Sequence, residues 1–279
     1  MDPPKALSPS VVYDSAKRGP VALEELRGLW QYRDLILQLV RRNIVTRYKR
    51  SVLGIAWTLL QPLGMMVILS LVFSQLFHRI EGYAVYLLSG LIAWTFFAQT
   101  TNAAIHEMVW GGKLLKRIYV PRTIFAISAI ATGLVNLVFS LVPLLAIMLA
   151  VSVPIRWTIV VLPYSMLLLA AFSLGVGLLL STFAVYFPDV AEMYQVILVG
   201  WMYLTPIIYP EEIIAESYRF WFFNLNPMYH LVQMFRQPLY GGALPGWTTL
   251  ACGSAVALGM LIAGWLVFSK RADEFAYRV

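Results

Sequence analysis

Between positions 41 and 50 the chain carries Arg41, Arg42, Arg47, Lys49 and Arg50, and from Ser51 to Phe77 it carries no charge at all. Cations beside an apolar run suit the phosphates of an anionic lipid leaflet, at about 1 kcal/mol for each Lys or Arg near the surface. The other reactive side chains are sparse. His78, His106 and His230 are scattered with no second ligand three or four residues away, and Cys252 is alone, so neither a metal site nor a disulfide framework is expected. Glu107, Asp189 and Glu192 lie at the ends of apolar stretches, which leaves the stretch interiors without the ionisable groups of an ion-coupled carrier. Neither the phosphate-cradling G-x-x-x-x-G-K-[ST] nor the G-x-S-x-G nucleophile elbow occurs. Any uphill work by this chain must draw its energy from another protein.

The elements that position these residues follow from hydropathy. Of 279 residues 60% are hydrophobic and 13% charged, where an average soluble protein carries roughly 25% charged residues. Such a chain cannot bury its apolar surface in a single aqueous core, so the net charge of +7 points to a membrane surface rather than to nucleic acid. Charge-free stretches run from Ser51 to Phe77, Gly82 to His106, Thr123 to Ile155, Trp157 to Pro188, Met193 to Pro210 and Gln237 to Ser269. A spanning helix needs about 20 mostly apolar residues, which predicts an all-α polytopic membrane protein with six transmembrane helices, the fifth being the shortest. With the N-terminus in the cytosol, all of the 21 Lys and Arg except Arg79, Arg156, Arg219 and Arg236 fall on the cytosolic side, so both termini are expected there.

The spacing divides the chain into a cytosolic tail (1–22), an N-terminal amphipathic interface helix (23–50), a six-span transmembrane region (51–269) and a cytosolic C-terminal tail (270–279). In the interface helix Leu29, Trp30, Tyr32, Ile36, Leu37, Leu39, Val40, Ile44 and Tyr48 share one half, while Leu35 and Val45 stray to the polar side. It serves as a topology anchor, or also touches a cytosolic partner or a lipid. The loop WGGKLLKRIYVPR (Trp110 to Arg122) holds a short basic segment between a glycine pair and Pro121, which is either a docking surface or a tight turn. In YFPDVAE, Pro188 and Asp189 supply turn and N-cap chemistry for the fifth span. On the outer side, Asn226 and Pro227 open a helix that Pro238 and Gly241–Gly242 close, and with a preceding aromatic-rich helix it is expected to form a lid or vestibule on the outer surface.

Four segments in order carry a resemblance: SVLGIAWTLLQPLGMMVILSLVFSQLF, KLLKRIYVPR, YLTPIIYPEE and LNPMYHLVQMFRQPLYGG. Together they resemble the type-2 ABC exporter permeases that carry O-antigen, capsular polysaccharide or teichoic acid, over about residues 25 to 270. The resemblance implies a homodimer in the bacterial cytoplasmic (inner) membrane, joined by two copies of a cytosolic ABC ATP-binding subunit. That partner would hold ATP and Mg, and no cofactor would sit in this chain. The implied substrate is an undecaprenyl-pyrophosphate-linked glycan, exported in contact with membrane lipid and without nucleic acid. By the same resemblance Lys113, Leu114, Lys116, Arg117, Tyr119 and Pro121, with Asp189, couple to the ATPase. Arg41, Arg42, Arg47, Lys49 and Arg50 frame the entrance, and Trp57, Phe73, Trp201 and Tyr203 line the path. Two short outer-side gate helices (211–237) present Tyr218, Trp221, Phe222 and Tyr229. Phe187-Pro188-Asp189 departs from the family pattern, which places an arginine before the aspartate, so that contact to the ATPase is not implied here. Two other readings stand beside this one: an efflux permease for drugs or small lipids on the same scaffold, and a non-transporting membrane scaffold or glycosyl-lipid enzyme. The short loop between spans 1 and 2 argues against efflux, and the lack of a catalytic pair argues against the enzyme.

Overall fold

A computed structural model describes residues 25, 28–49, 56–74, 76–77, 80–110 and 121–271. Within them the chain is helical: α1 (Arg33–Tyr48), α2 (Ala56–Phe73), α3 (Tyr83–Trp110), α4 (Thr123–Ala150), α5 (Leu162–Tyr186), α6 (Asp189–Leu204), α7 (Pro227–Arg236) and α8 (Trp247–Arg271). Helices α2 to α6 and α8 occupy the six charge-free stretches in order, and α6 is the shortest of them, as expected. Among the described residues four helical segments, including α3, α4 and α8, are long and apolar enough to cross a membrane; the fourth joins a short 3-10 turn at Trp157 to α5. The apolar run of α2 begins at Leu60, and α6 has 16 residues, about 24 Å against a hydrocarbon core of about 30 Å.

The charge-free stretches overshoot the helices where backbone geometry intervenes. The third ends at Ala150 because Ser152 takes φ 60°, and the sixth begins only at Trp247, after Gly242 has turned the chain at φ 57°.

Helix α3 is the axis of the bundle, contacting α2, α4, α5, α6 and α7 and burying most of its length, while α4 and α8 fully bury only a minor part of theirs. The tightest pairing is α5 against α8. A Cβ at Gly175 would overlap the Met260 carbonyl, and one at Gly264 would overlap the Gly175 carbonyl, so only glycine lets these backbones meet. That is how helices associate in lipid, where burying leucine against leucine gains little over leucine against acyl chains.

Helix α1 lies at one end of the bundle and packs on α4. Tyr32, Leu35, Ile36 and Leu39 cover Ile124 and Phe125, and Asn43 Nδ2 donates to Glu107 Oε1 (2.8 Å) at the end of α3. One placement is thereby corrected: Leu35, expected on the polar side, turns toward the bundle, while Trp30 and Leu37 of the apolar half are exposed, as contact with acyl chains requires. The winning term is packing against α4, which a helical wheel drawn for a lone interfacial helix does not contain.

Candidate functional site

At the end of the bundle remote from α1, the motif YLTPIIYP does something a spanning helix cannot. Helix α6 stops at Leu204, and residues 205–208 continue as buried, non-helical backbone. Backbone polar groups at such depth must find partners inside the protein, and side chains from α3 and α7 supply them. Tyr83 Oη donates to the Ile208 carbonyl (2.8 Å) and Tyr86 Oη to that of Tyr209 (2.9 Å). Arg236 Nη1 donates to the Pro206 carbonyl (2.8 Å) and Nη2 to that of Ile207 (3.1 Å).

Arg236 is 2% exposed and is the largest fully enclosed side chain described. Its guanidinium stacks 3.8 Å from the Tyr86 ring centroid, so two carbonyls and an aromatic face replace most of the water it has lost, and Nε alone has no hydrogen-bond partner among the described residues. Gly90 makes room for it: a Cβ there would overlap the guanidinium. By sequence Arg236 reads only as an outer-side charge. The signal that could have found it is a lone arginine at i+4 from Val232 and next to Phe235, among the buried apolar residues of α7.

Asn226 has a second anchoring role. Its Oδ1 accepts from the Met228 amide (3.1 Å), capping α7 as expected, and also from Trp201 Nε1 (2.8 Å). Its Nδ2 donates to Thr205 Oγ1 (2.9 Å) and to the Leu204 carbonyl (3.2 Å), closing the end of α6. One side chain thus joins the start of α7 to the finish of α6. The lid expected on the outer surface is corrected in its second half, because Met228, Leu231, Val232, Met234 and Phe235 are buried. Helix α7 is wedged among α3, α5 and α8 because its apolar residues are numerous enough to require enclosure.

The loop before α7 adds a carboxylate. Glu211 accepts hydrogen bonds from Tyr229 Oη (3.0 Å) and from Gln233 Nε2. Burial pushes its carboxyl above the usual carboxylate range, against the hydrogen bond from Tyr229 and the charge of Arg236, which pull it down.

The other expected site residues separate into distinct places. Trp201 points inward, edge-on to Phe97 (5.3 Å between centroids) and Trp94 (6.1 Å). Phe73 stacks on Phe77 (6.0 Å), the first rung of a ladder through Tyr83 and Tyr86 to Tyr240. Trp57 and Tyr203 are exposed, as are Tyr218 and Trp221, while Phe222 is half-buried and Tyr229 stacks on Phe223 at 4.7 Å. Tyr218 and Trp221 lie in a helical turn, Glu216–Arg219, that widens into a π-type turn over Phe220–Asn224. At the α1 end, Arg41, Arg42 and Lys49 are exposed. Asp189 is exposed in the first turn of α6 and makes no cap; Pro188 occupies the N-cap position and has no side-chain oxygen to offer. The expected cap is corrected on that ground, although Asp189 and Glu192 still favour the positive end of the helix dipole. Pro121 is half-buried against Gly28. Lys113, Leu114, Lys116, Arg117, Tyr119, Arg50 and the side chain of Arg47 lie outside the described residues.

Comparison with known proteins places this arrangement. The chain is 30% identical to the O-antigen export system permease protein RfbA of Myxococcus xanthus, over 90% of its own length and 97% of the relative's. It is 25% identical to the polysialic acid transport protein KpsM of Escherichia coli (84% of this chain, 92% of the relative). It is 24% identical to the capsule polysaccharide export inner-membrane protein CtrC of Neisseria meningitidis (84% and 91%). The profile of the ABC-2 type transporter family matches residues 34–240, from α1 through the close of α7, and this chain belongs to that family.

Proposed function

We infer that this chain is the membrane permease subunit of an ATP-driven exporter that moves a lipid-linked polysaccharide, of O-antigen or capsule type, across a bacterial cytoplasmic membrane. The observation that carries the reading is similarity along nearly the whole chain to relatives named for polysaccharide export. In this reading two copies pair around the path, six helices of each span the bilayer, and both termini face the cytosol. A cytosolic ATP-binding subunit in two copies binds ATP and Mg and performs hydrolysis. The segment from Lys113 to Pro121, with Asp189, receives its stroke, and Arg41, Arg42, Arg47, Lys49 and Arg50 hold the entrance at headgroup level.

The wedged helix α7 is then the outer gate. Arg236 and Asn226 bind it to the end of α6, so a tilt of α6 driven from the cytosolic side carries the gate with it. Exposed Tyr203 on α6 and Tyr218 and Trp221 beyond it offer aromatic faces to a passing sugar ring. Deletion of the gene tests the reading by extraction of surface polysaccharide. The expected result is loss of surface polymer with lipid-linked polymer retained inside, restored by the wild-type gene. Unchanged surface polymer together with raised sensitivity to small amphiphiles would instead support a small-molecule efflux permease.

A further inference from the structure

The bundle contains a polar groove that neither the gate nor the basic cluster uses. Two connected cavities, of about 230 and 350 Å³, lie between α3 and α4 and share Gln99, Thr100, Gly133 and Asn136 in their walls. The larger falls within the range of about 300–1,000 Å³ of small-molecule sites. The walls of the two together are facing stripes: Thr95 and Gln99, then Glu107 two turns on, along α3, and Thr132, Asn136 and Ser140 at one-turn spacing along α4. From Ala129 to Ser140 the α4 stripe is about 16 Å long, reaching from the α1 end toward mid-helix. At the mouth stand Gln61 and the exposed ring of Trp57, with Asn43 and Thr46 of α1 at the base.

Helix packing alone does not account for such a surface. Thr132 and Ser140 return their hydroxyl protons to carbonyls of their own helix, which leaves their lone pairs facing the cavity. Gln99 meets Gln61 across the opening at 3.3 Å, one bond for two amides that each have several to make. Unsatisfied polar groups in hydrocarbon cost several kcal/mol each, so the groove holds water or a polar ligand. Its chemistry selects among ligands. Glu107, fixed by Asn43 (2.8 Å) and Ser128 (3.3 Å), disfavours a phosphate, whereas neutral amides, hydroxyls and a bare indole suit a hydroxyl-rich ring.

We propose that this groove between α3 and α4 is a hydrated binding site for a sugar residue of the lipid-linked substrate. The proposal rests on the export reading and adds to it a site away from the gate. The test uses the full exporter in inside-out vesicles, with the exposed Cys252 replaced by alanine and single cysteines introduced as Ser140→Cys, Thr132→Cys and, on the outward side of α4, Phe139→Cys. The probe is a charged, membrane-impermeant methanethiosulfonate. Thiols in apolar surroundings have raised pKa values, and one unit lowers the reactive thiolate about tenfold. The groove cysteines are therefore expected to react about tenfold faster than the Phe139 position, or more. They should react several-fold more slowly in vesicles from cells making the glycan than in vesicles from cells blocked in its synthesis. Equal reactivity of groove and outward positions would overturn the groove as hydrated. Fast labelling indifferent to glycan would overturn the sugar assignment. Export measured on the wild-type protein in the same cells separates these failures from failure of the export reading.

Discussion

Arg236→Met keeps an apolar stem but loses the guanidinium stacked on Tyr86, strands the Ile207 carbonyl in a dry interior at about 1–3 kcal/mol, and leaves the Pro206 carbonyl only the longer bond from Tyr86 Oη (3.3 Å). The variant is expected to melt well below wild type in detergent, with Arg236→Lys intermediate because an ammonium keeps the charge and loses the two-pronged geometry. A melting temperature equal to wild type for Arg236→Met would remove the arginine from its anchoring role. At Glu211 the sign of the pH dependence is set by burial, with Tyr229, Gln233, Arg236 and Glu212 around it. Its folded-state pKa lies above the unfolded one, so its contribution to stability is fully present below the unfolded value. It is lost as pH rises from there through the folded value. Glu211→Gln should flatten this part of the stability–pH curve, measured by thermal unfolding across the acid range. Asn226 was legible as a cap because Asn-Pro is a helix-start signal. Its bonds to Trp201 and Thr205 were not, because they join segments more than twenty residues apart. Arg236 was hidden for the same reason: what satisfies it is non-local backbone.

At the scale of elements, the charge-free stretches located the helices because lipid makes charge and span nearly exclusive, and four segments met that rule fully. Their ends were less legible. Ser152 and Gly242 stop or delay a helix through left-handed backbone, where hydropathy carries no signal. Polar stripes such as Thr95-Gln99 and Thr132-Asn136-Ser140 were readable at i, i+4, but a search for charge inside the spans passes over neutral amides. The α5–α8 seam makes a sharp prediction. Gly175→Leu drives a side chain into Met260 and should cost folded, monodisperse protein, as overpacking typically costs about 1–3 kcal/mol even where the core can adjust. Gly259→Leu, on the open side of α8, should leave yield and size-exclusion profile unchanged. Equal behaviour of the two variants would contradict the seam.

For the whole molecule, the sequence holds no phosphate-cradling G-x-x-x-x-G-K-[ST] loop, so under the proposed function the motor is the partner subunit. Lys116→Glu with Arg117→Glu should lower the ATP hydrolysis of the assembled exporter while leaving its expression intact, and unchanged hydrolysis would remove the coupling role of that loop. The central claim, that this chain and an ATP-binding partner together move a lipid-linked glycan, is tested most directly by reconstitution. Both proteins are placed in inside-out vesicles with the lipid-linked glycan on the outside, ATP and Mg are added, and glycan protected from an added glycosidase is measured over time. The account predicts protection that grows only with ATP and only when both proteins are present. Protection that is the same without ATP, or none with the complete system while the partner hydrolyses ATP, would contradict it.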